Sequence, residues 1–254
     1  MSIIIETKDL KKLYGSKENI SAALNGVDMQ VEKGEFLGIM GPSGAGKTTL
    51  LNIISTIDKE TSGSYLFEGK DMSKVKGREL ADFRKNKIGF IFQDFNLLDT
   101  MTVQDNIALP LALGKVNHQV ILNRVNEIAG FLGLKDHLKK YPYQLSGGQK
   151  QRTAAARALM TNPSVIFADE PTGALDSKSS AELLSCLTSM NEKFNTTIIM
   201  VTHDAFAASY CRRIMFIKDG KIHAKIDKNK GRKEFFQRIM DMSASIGGEI
   251  NELI

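Results

Sequence analysis

Long apolar runs are missing from this chain. A membrane-spanning helix needs roughly 18 to 20 consecutive apolar residues, and the longest candidates, Ile88–Phe92, Ile107–Leu113 and Ile198–Val201, fall far short. The chain begins Ile3-Ile4-Ile5 and turns charged at Glu6, which is not the pattern of a signal peptide. The expectation is a protein made and kept in the cytosol. Cysteine is scarce: Cys186 and Cys211 are the only two, and their spacing fits no metal-ligand motif. Reduced, packed thiols are expected of them. Internal repeats, low-complexity linkers, arginine-rich runs and interleaved aromatics are also absent, which argues against a nucleic-acid partner. The formal net charge of +5 is a mild basic excess, compatible with an ordinary surface or with an anionic membrane face.

What is present suits a globular protein. The 254 residues, 42% hydrophobic and 25% charged, suffice for one large domain or one domain with a lobe. Short apolar runs at Phe36–Met40, Ile88–Phe92, Val165–Ala168 and Ile198–Val201 read as strands buried on both faces. Amphipathic stretches at Lys47–Ser55, Gln119–Leu132, Gly147–Met160 and Ser179–Phe194 lie between them and read as helices. This alternation predicts an α/β fold with a largely parallel sheet. Two patterns look antiparallel. Ile214–Ile217, Asp219-Gly220 and Lys221–Ile226 form a hairpin signal. Gly63–Gly69 alternates and has two possible partners, Ile3–Thr7 or Gly26–Val31. From Asn96 to Met160 the chain reads as a helical lobe inserted in the sheet domain, and from Lys228 it turns charged, then weakly amphipathic.

Gly41-Pro42-Ser43-Gly44-Ala45-Gly46-Lys47-Thr48 fits G-x-x-x-x-G-K-[ST] at every fixed position, between a strand and a helix. The glycines allow backbone N–H groups to converge on a phosphate. A helix start adds its positive end. Lys47 brings a mobile cation to the β and γ phosphates, and the Thr48 hydroxyl is a hard ligand for Mg²⁺.

Three other apolar runs also end in polar residues. Val165–Ala168 leads to Asp169-Glu170, Ile88–Phe92 to Gln93, and Ile198–Val201 to Thr202-His203. Ligands of open α/β sheets collect at such carboxyl ends. Asp169 is expected to hold Mg²⁺ through water, and Glu170 to polarise the attacking water. A lone histidine is more often structural. Delivered to one edge with Lys47, Gln93 and the two acids, His203 reads as catalytic. Leu145-Ser146-Gly147-Gly148-Gln149 precedes a helical stretch, and Ser146 with its glycines suits an N-cap exposing N–H groups, a second anion-binding helix start.

Together these motifs closely resemble the ATP-binding-cassette ATPases, over residues 3–226 and in the family's order. The resemblance implies a RecA-like P-loop NTPase sheet domain with an antiparallel β subdomain and an inserted helical lobe. Residues 1–95 and 161–227 would form the nucleotide-binding core, 96–160 the signature subdomain and 228–254 a C-terminal extension. It implies ATP and Mg²⁺ as cofactors, and Tyr14 as the aromatic that stacks on adenine. Gly41 to Thr48 with Thr49 would hold the phosphates. Thr48, Gln93 and Asp169 would face the metal. Gln93, Glu170 and His203 would take part in hydrolysis. Ser146, Gly147, Gly148 and Gln149 would be the signature, and Ala174-Leu175-Asp176 the D-loop.

Gly41-Pro42-Ser43-Gly44-Ala45-Gly46-Lys47, Phe92-Gln93-Asp94-Phe95-Asn96-Leu97-Leu98 and Pro171-Thr172-Gly173-Ala174-Leu175-Asp176 resemble the macrolide-exporter and lipoprotein-releasing branch. Phe235-Phe236, Gly247-Gly248 and Ile198-Ile199-Met200-Val201-Thr202-His203-Asp204 are similar to bacitracin-resistance-type peptide transporters. That likeness implies an ATPase peripheral to the cytoplasmic face of the membrane. It would form a head-to-tail dimer with a second copy and work with a transmembrane permease. A link through the permease to a membrane sensor kinase is left open. The alternative is a cassette of the same branch that regulates a cell-wall or division complex without transport. Phe95, Leu97, Leu98 and Met101 are expected either to meet a permease helix or to be ordinary lobe core. The basic tail, with Lys221, Lys225, Lys228, Lys230, Arg232, Lys233 and Arg238 around Phe235, Phe236, Ile239 and Met240, either packs on its own or the sister sheet domain or docks on a partner.

Overall fold

The computed structural model describes residues 2–15, 20–114 and 116–247. Gly248 and the rest of the C-terminal extension, 249–254, lie outside them.

Buried strands with apolar residues on both faces need cover on both sides, and the chain supplies two layers. One sheet has six strands, in spatial order β10 (Lys221–Asp227), β9 (Arg213–Lys218), β3 (Phe36–Met40), β8 (Thr197–Val201), β7 (Val165–Asp169) and β6 (Ile88–Ile91). All neighbours are parallel except β9 and β10, which form the hairpin expected around Asp219-Gly220. Successive side chains of a strand point to opposite faces. Leu37, Ile39, Val165, Phe167, Ile199 and Val201 therefore enter one core, and Phe36, Met40, Ile166, Ala168, Ile198 and Met200 enter another.

The first core is closed by α1 (Lys47–Ile54) and by a second, antiparallel sheet. That sheet runs in order β2 (Ser21–Glu32), β1 (Ile3–Tyr14), β4 (Ser62–Phe67), β5 (Lys70–Asp71). Of the two partners considered for Gly63–Gly69, Ile3–Thr7 is the one used, with Ile5 opposite Phe67 and Thr7 opposite Tyr65. Gly26–Val31 lies in β2, on the other edge of β1. A bidentate pair from Arg213 to the buried Glu35, 2.7 and 2.8 Å, ties the start of β9 to the turn before β3.

The second core is closed by helices. They are α3 (Val103–Ala112), α4 (His118–Phe131), α5 (Gly147–Leu159), α6 (Ser177–Phe194), α7 (Ala205–Ala208) and α8 (Arg232–Gly247). Thr102, Asn117, Ser146, Asp176 and Asp204 each cap a helix by accepting a first-turn N–H. A further helix, α2 (Gly77–Lys87), buries no residue completely and rests on the core only through Leu80 and Phe83. No helix among the described residues is long and apolar enough to cross a membrane.

Candidate functional site

The chain between β3 and α1 turns so tightly that two of its positions exclude a side chain. A Cβ on Gly41 would stand 2.0 Å from the Ile217 carbonyl oxygen, and one on Gly46 (φ 100°) 2.3 Å from that of Ala23. Gly46 is the N-cap of α1, and no side chain caps the helix there. The first-turn N–H groups are thus left to an anion. The half-buried Lys47 folds over the loop and donates to the Gly41 and Pro42 carbonyls, both at 2.9 Å. Ser43 on the loop and Thr48 in the first turn of α1 are exposed.

The acids arrive from β7. Burial, then the neighbouring Glu170 carboxylate, raises the Asp169 pKa, while Lys47 opposes the shift. Burial lowers the Lys47 pKa, and Glu170 and Asp169 pull it back up. These mutual effects place one cation and two carboxylates within electrostatic reach. The Asp169 Oδ1 is buried with no hydrogen-bond partner, an atom that needs a ligand. Glu170 stands just past the strand in the left-handed region, φ 45°. Its N–H bonds the Val201 carbonyl and its own carbonyl accepts from Gly173 N, both at 3.0 Å. Left-handed backbone on a non-glycine residue costs energy and persists when its surroundings hold it. Here it turns the carboxylate toward the end of β8, where Glu170 Oε1 meets His203 Nδ1 at 2.8 Å. A carboxylate can only accept, so Nδ1 carries the proton. The His203 side chain is 74% exposed and that of Glu170 only 19%.

Gln93 follows β6 and lies against the turn after Glu170. A Cβ on Gly173 would come 3.0 Å from Gln93 Nε2. Lys47, Asp169, Glu170, His203 and Gln93 are thus gathered at one edge of the parallel sheet.

Three buried or half-buried groups that the sequence reading did not single out hold this edge together. Gln151, fully buried on α5, donates to the Phe92 carbonyl at 3.0 Å and the Pro171 carbonyl at 2.8 Å. Arg157, one helical face further, donates to the Phe95 and Asn96 carbonyls at 3.0 and 2.6 Å. Asn106 of α3 takes Leu98 N at 2.8 Å and donates to the carbonyls of Leu98, Met101 and Thr102. A glutamine on the alanine face of α5 was the available signal, since a polar residue there must find buried partners.

The second helix start is built as its sequence suggests. Ser146 Oγ accepts from Gln149 N at 3.3 Å while Gln149 Oε1 accepts from Ser146 N at 3.0 Å, a reciprocal capping box. The remaining Gln149 amide faces His137 Nε2 at 3.1 Å. A Cβ on Gly147 would stand 3.2 Å from Leu175 Cδ2 and one on Gly148 3.0 Å from Ser179 Cβ, tight contacts, so residues 174–179 brace the 146–149 segment. Ser146 itself is exposed. Among the described residues no hydrogen bond joins 146–149 to 41–49. Tyr14, the exposed last residue of β1, has Thr49 of α1 within reach of its hydroxyl.

Between the helical lobe and the sheet lies a groove of ≈560 Å³, walled by Ile88, Phe90, Phe92, Leu109, Pro110 and Leu113. Of the four residues expected to offer apolar contacts, Leu98 lines it, but Phe95, Leu97 and Met101 do not. Phe95 is partly buried, with Lys150 Nζ 6.0 Å from its ring centre. The wall is supplied instead by β6 and α3, which flank the 92–102 segment in sequence.

Among the described residues no cluster of three or more His, Cys, Asp or Glu is placed to hold a metal. A hydroxyl, one unpartnered carboxylate and a polyphosphate suit a hard, oxygen-loving cation that keeps much of its water.

Residues 24–173 match the family model described as "ABC transporter". A bacitracin export ATP-binding protein of Halalkalibacterium halodurans is 52% identical over 250 residues, 98% of this chain and 99% of that protein. A macrolide export ATP-binding/permease protein of Syntrophobacter fumaroxidans is 46% identical over 221 residues, 86% of this chain and 31% of that protein. Among solved structures, a dimeric ATP-binding cassette in a post-hydrolysis state, bound to ADP and Pi, superposes with a TM-score of 0.81 at 38% identity. It covers 89% of this chain and 100% of its own.

Proposed function

The chain belongs to the ABC transporter family, and from that premise we propose that two copies close head to tail on ATP, hydrolyse it, and so drive a membrane permease that handles a bacitracin-like antimicrobial peptide. The observation that carries the proposal is that, among the described residues, no hydrogen bond joins the phosphate loop and its acids to the capped 146–149 helix start, whose Ser146 is exposed. In this reading, which the dimeric cassette bound to ADP and Pi supports, the γ-phosphate is gripped by the loop of one copy and the helix start of the other, so bound ATP joins the subunits and hydrolysis releases them. In this reading residues 96–160 are the lobe that presents the signature, and 1–95 with 161–227 the core that holds the nucleotide.

Gly41 to Thr49 hold the phosphates, with Lys47 on the β and γ groups, and Tyr14 faces the base. Glu170 accepts the proton of the attacking water, held in place by His203. The residues fit Mg²⁺, with the Thr48 hydroxyl, the Asp169 carboxylate and Gln93 facing it, and the ion would neutralise charge on the β and γ phosphates when bound. Ser146 to Gln149 face the γ-phosphate of the other copy. The groove beside Leu98, Leu109 and Leu113 seats a cytoplasmic helix of the permease, and thereby holds the ATPase on the cytoplasmic face of the membrane. Gln151 and Arg157 link that groove to Gln93 and Glu170 through backbone carbonyls. The name of the bacitracin export relative supports the peptide class. The reading includes a membrane sensor kinase reached through the permease, tested by recovering the kinase with this chain only when the permease is present.

Glu170→Gln tests the core of the proposal. It preserves shape and removes the base, so hydrolysis should fall by roughly 10²–10⁴. The variant should run as a dimer on size-exclusion chromatography with ATP and Mg²⁺ and as a monomer without them. Wild-type turnover would rule out Glu170 as the base.

A further inference from the structure

The end of β1 carries a cluster that the hydrolytic chemistry does not use. The Tyr14 hydroxyl donates to Asp58 Oδ2 at 2.7 Å. Lys12 Nζ donates to Asp58 Oδ1 at 2.8 Å and to the Lys59 carbonyl at 2.6 Å. The same ammonium lies 4.9 Å from the centre of the Tyr14 ring. Asp58 Oδ1 also accepts from Lys59 N at 2.7 Å. Burial works against the Asp58 charge, yet the hydrogen bonds from Lys12, Tyr14 and Lys59 hold its carboxyl below the usual range.

The cluster is anchored on both sides. Asp58 N bonds the Asn52 carbonyl of α1 at 3.0 Å, so the carboxylate rides on the helix that starts at Lys47. Leu13 N donates to Thr61 Oγ1 at 3.0 Å and Thr61 N to the Lys11 carbonyl at 2.8 Å, which fixes the strand end. The phenol ring is thus held at its rim by Asp58 and on one face by the Lys12 cation. A ring held at two points has little rotamer freedom left to lose on binding. Tyr14 is 44% exposed, which leaves ring surface to meet a planar π-system, and α1 sets its distance from the phosphate loop.

Resting on the ATPase reading above, we propose that Asp58 and Lys12 are positioning residues. They hold Tyr14 so that the base of the nucleoside triphosphate is bound by stacking alone. The phenolic hydrogen is committed to Asp58 and does not read the hydrogen-bonding edge of the base. Stacking platforms tolerate any base, because each has a π-face. The site should therefore accept GTP and ATP with similar KM.

Steady-state kinetics on the full chain test this. Asp58→Ala should raise the KM for ATP about tenfold, the scale of a lost stacking contact, while turnover at saturation changes less than about twofold. Inhibition by inorganic tripolyphosphate, which has no base, should be unchanged. Asp58→Asn, which keeps an acceptor for the phenol, should recover most of the loss. If Asp58→Ala misfolds by circular dichroism, Tyr14→Phe removes only the tether and should shift KM in the same direction. An unchanged KM in both Asp58→Ala and Tyr14→Phe, beside a raised KM in Tyr14→Ala, overturns the positioning role. An unchanged KM in Tyr14→Ala overturns the stacking surface itself. A KM for GTP more than about tenfold above that for ATP overturns the claim of stacking alone.

Discussion

Lys47 shows how one residue's surroundings set its task. It is half buried beside Asp169 and Glu170, and its ammonium already bridges two carbonyls of its own loop. A triphosphate would exchange those neutral acceptors for charged ones, worth about 1.5–3 kcal/mol per contact. Two contacts put the effect of Lys47→Ala on ATP affinity at roughly 10²-fold or more. Isothermal titration checks it, and affinity within a few fold of wild type would contradict the assignment. Lys47 was legible because eight consecutive residues encode loop, cation and helix start. Asp169, Glu170, Gln93 and His203 were legible because each follows an apolar run that becomes a strand end. Gln151 was not, since its two partners are carbonyls 59 and 20 residues away. Only the folded chain brings Phe92 and Pro171 to one side chain. The clasp on Tyr14 escaped for the same reason, because Asp58 lies 44 residues from it.

Among elements, α8 packs one face on its own subunit, one of the outcomes its sequence left between packing and docking. Phe235, Ile239 and Ile246 are at most 2% exposed and belong to the core under the six-stranded sheet. Arg232 lies 4.4 Å from the Tyr210 ring centre, Arg238 donates to the Asp227 carbonyl, and Lys218 donates to the Ile246 carbonyl near the helix end. With Lys228 donating to the Ser209 carbonyl and Lys230 paired with Glu234, four of the seven basic tail residues make contacts within the subunit. Phe235→Ala should destabilise the isolated subunit by about 3–5 kcal/mol, read as a lower midpoint in thermal or urea unfolding. Truncation after Lys230 should cost more. An unchanged midpoint together with lost permease association would favour docking instead. The spacing of Phe235, Phe236, Ile239 and Met240 marked the helix, but it did not say which surface it covers. By contrast α2 was missed altogether, because Leu80 and Phe83 are only partly buried and the rest of the helix is polar.

On the scale of the whole molecule, the two helix starts proposed to grip the phosphates face different tasks. The phosphate loop lies within one chain, whereas Ser146 is exposed and, among the described residues, the 146–149 segment makes no hydrogen bond to it. Ser146→Arg should leave nucleotide binding to the monomer nearly intact, since Tyr14 and the phosphate loop are untouched. It should block closure and hydrolysis, because the side chain fills the space meant for a γ-phosphate. Mixing Ser146→Arg with Lys47→Ala subunits places both lesions in one composite site and leaves the other wild type. Activity should return to at most about one site per dimer, provided one intact site turns over alone. Crosslinking avoids that proviso. Ser43 and Ser146 are both exposed, and cysteines placed there should meet across the closed dimer. Of the native thiols only Cys186 needs replacement. Cys211 is fully buried against Gly38 and burial raises its thiol pKa far above the usual value, so the reactive thiolate is scarcely formed. Keeping it also avoids a cavity in the core. In the Glu170→Gln background, ATP with Mg²⁺ should produce disulfide-linked dimers joining position 43 of one copy to 146 of the other, and ATP without the second cysteine should produce none. Links formed only within single chains would place both helix starts on one nucleotide in one subunit, and the head-to-tail mechanism would fall.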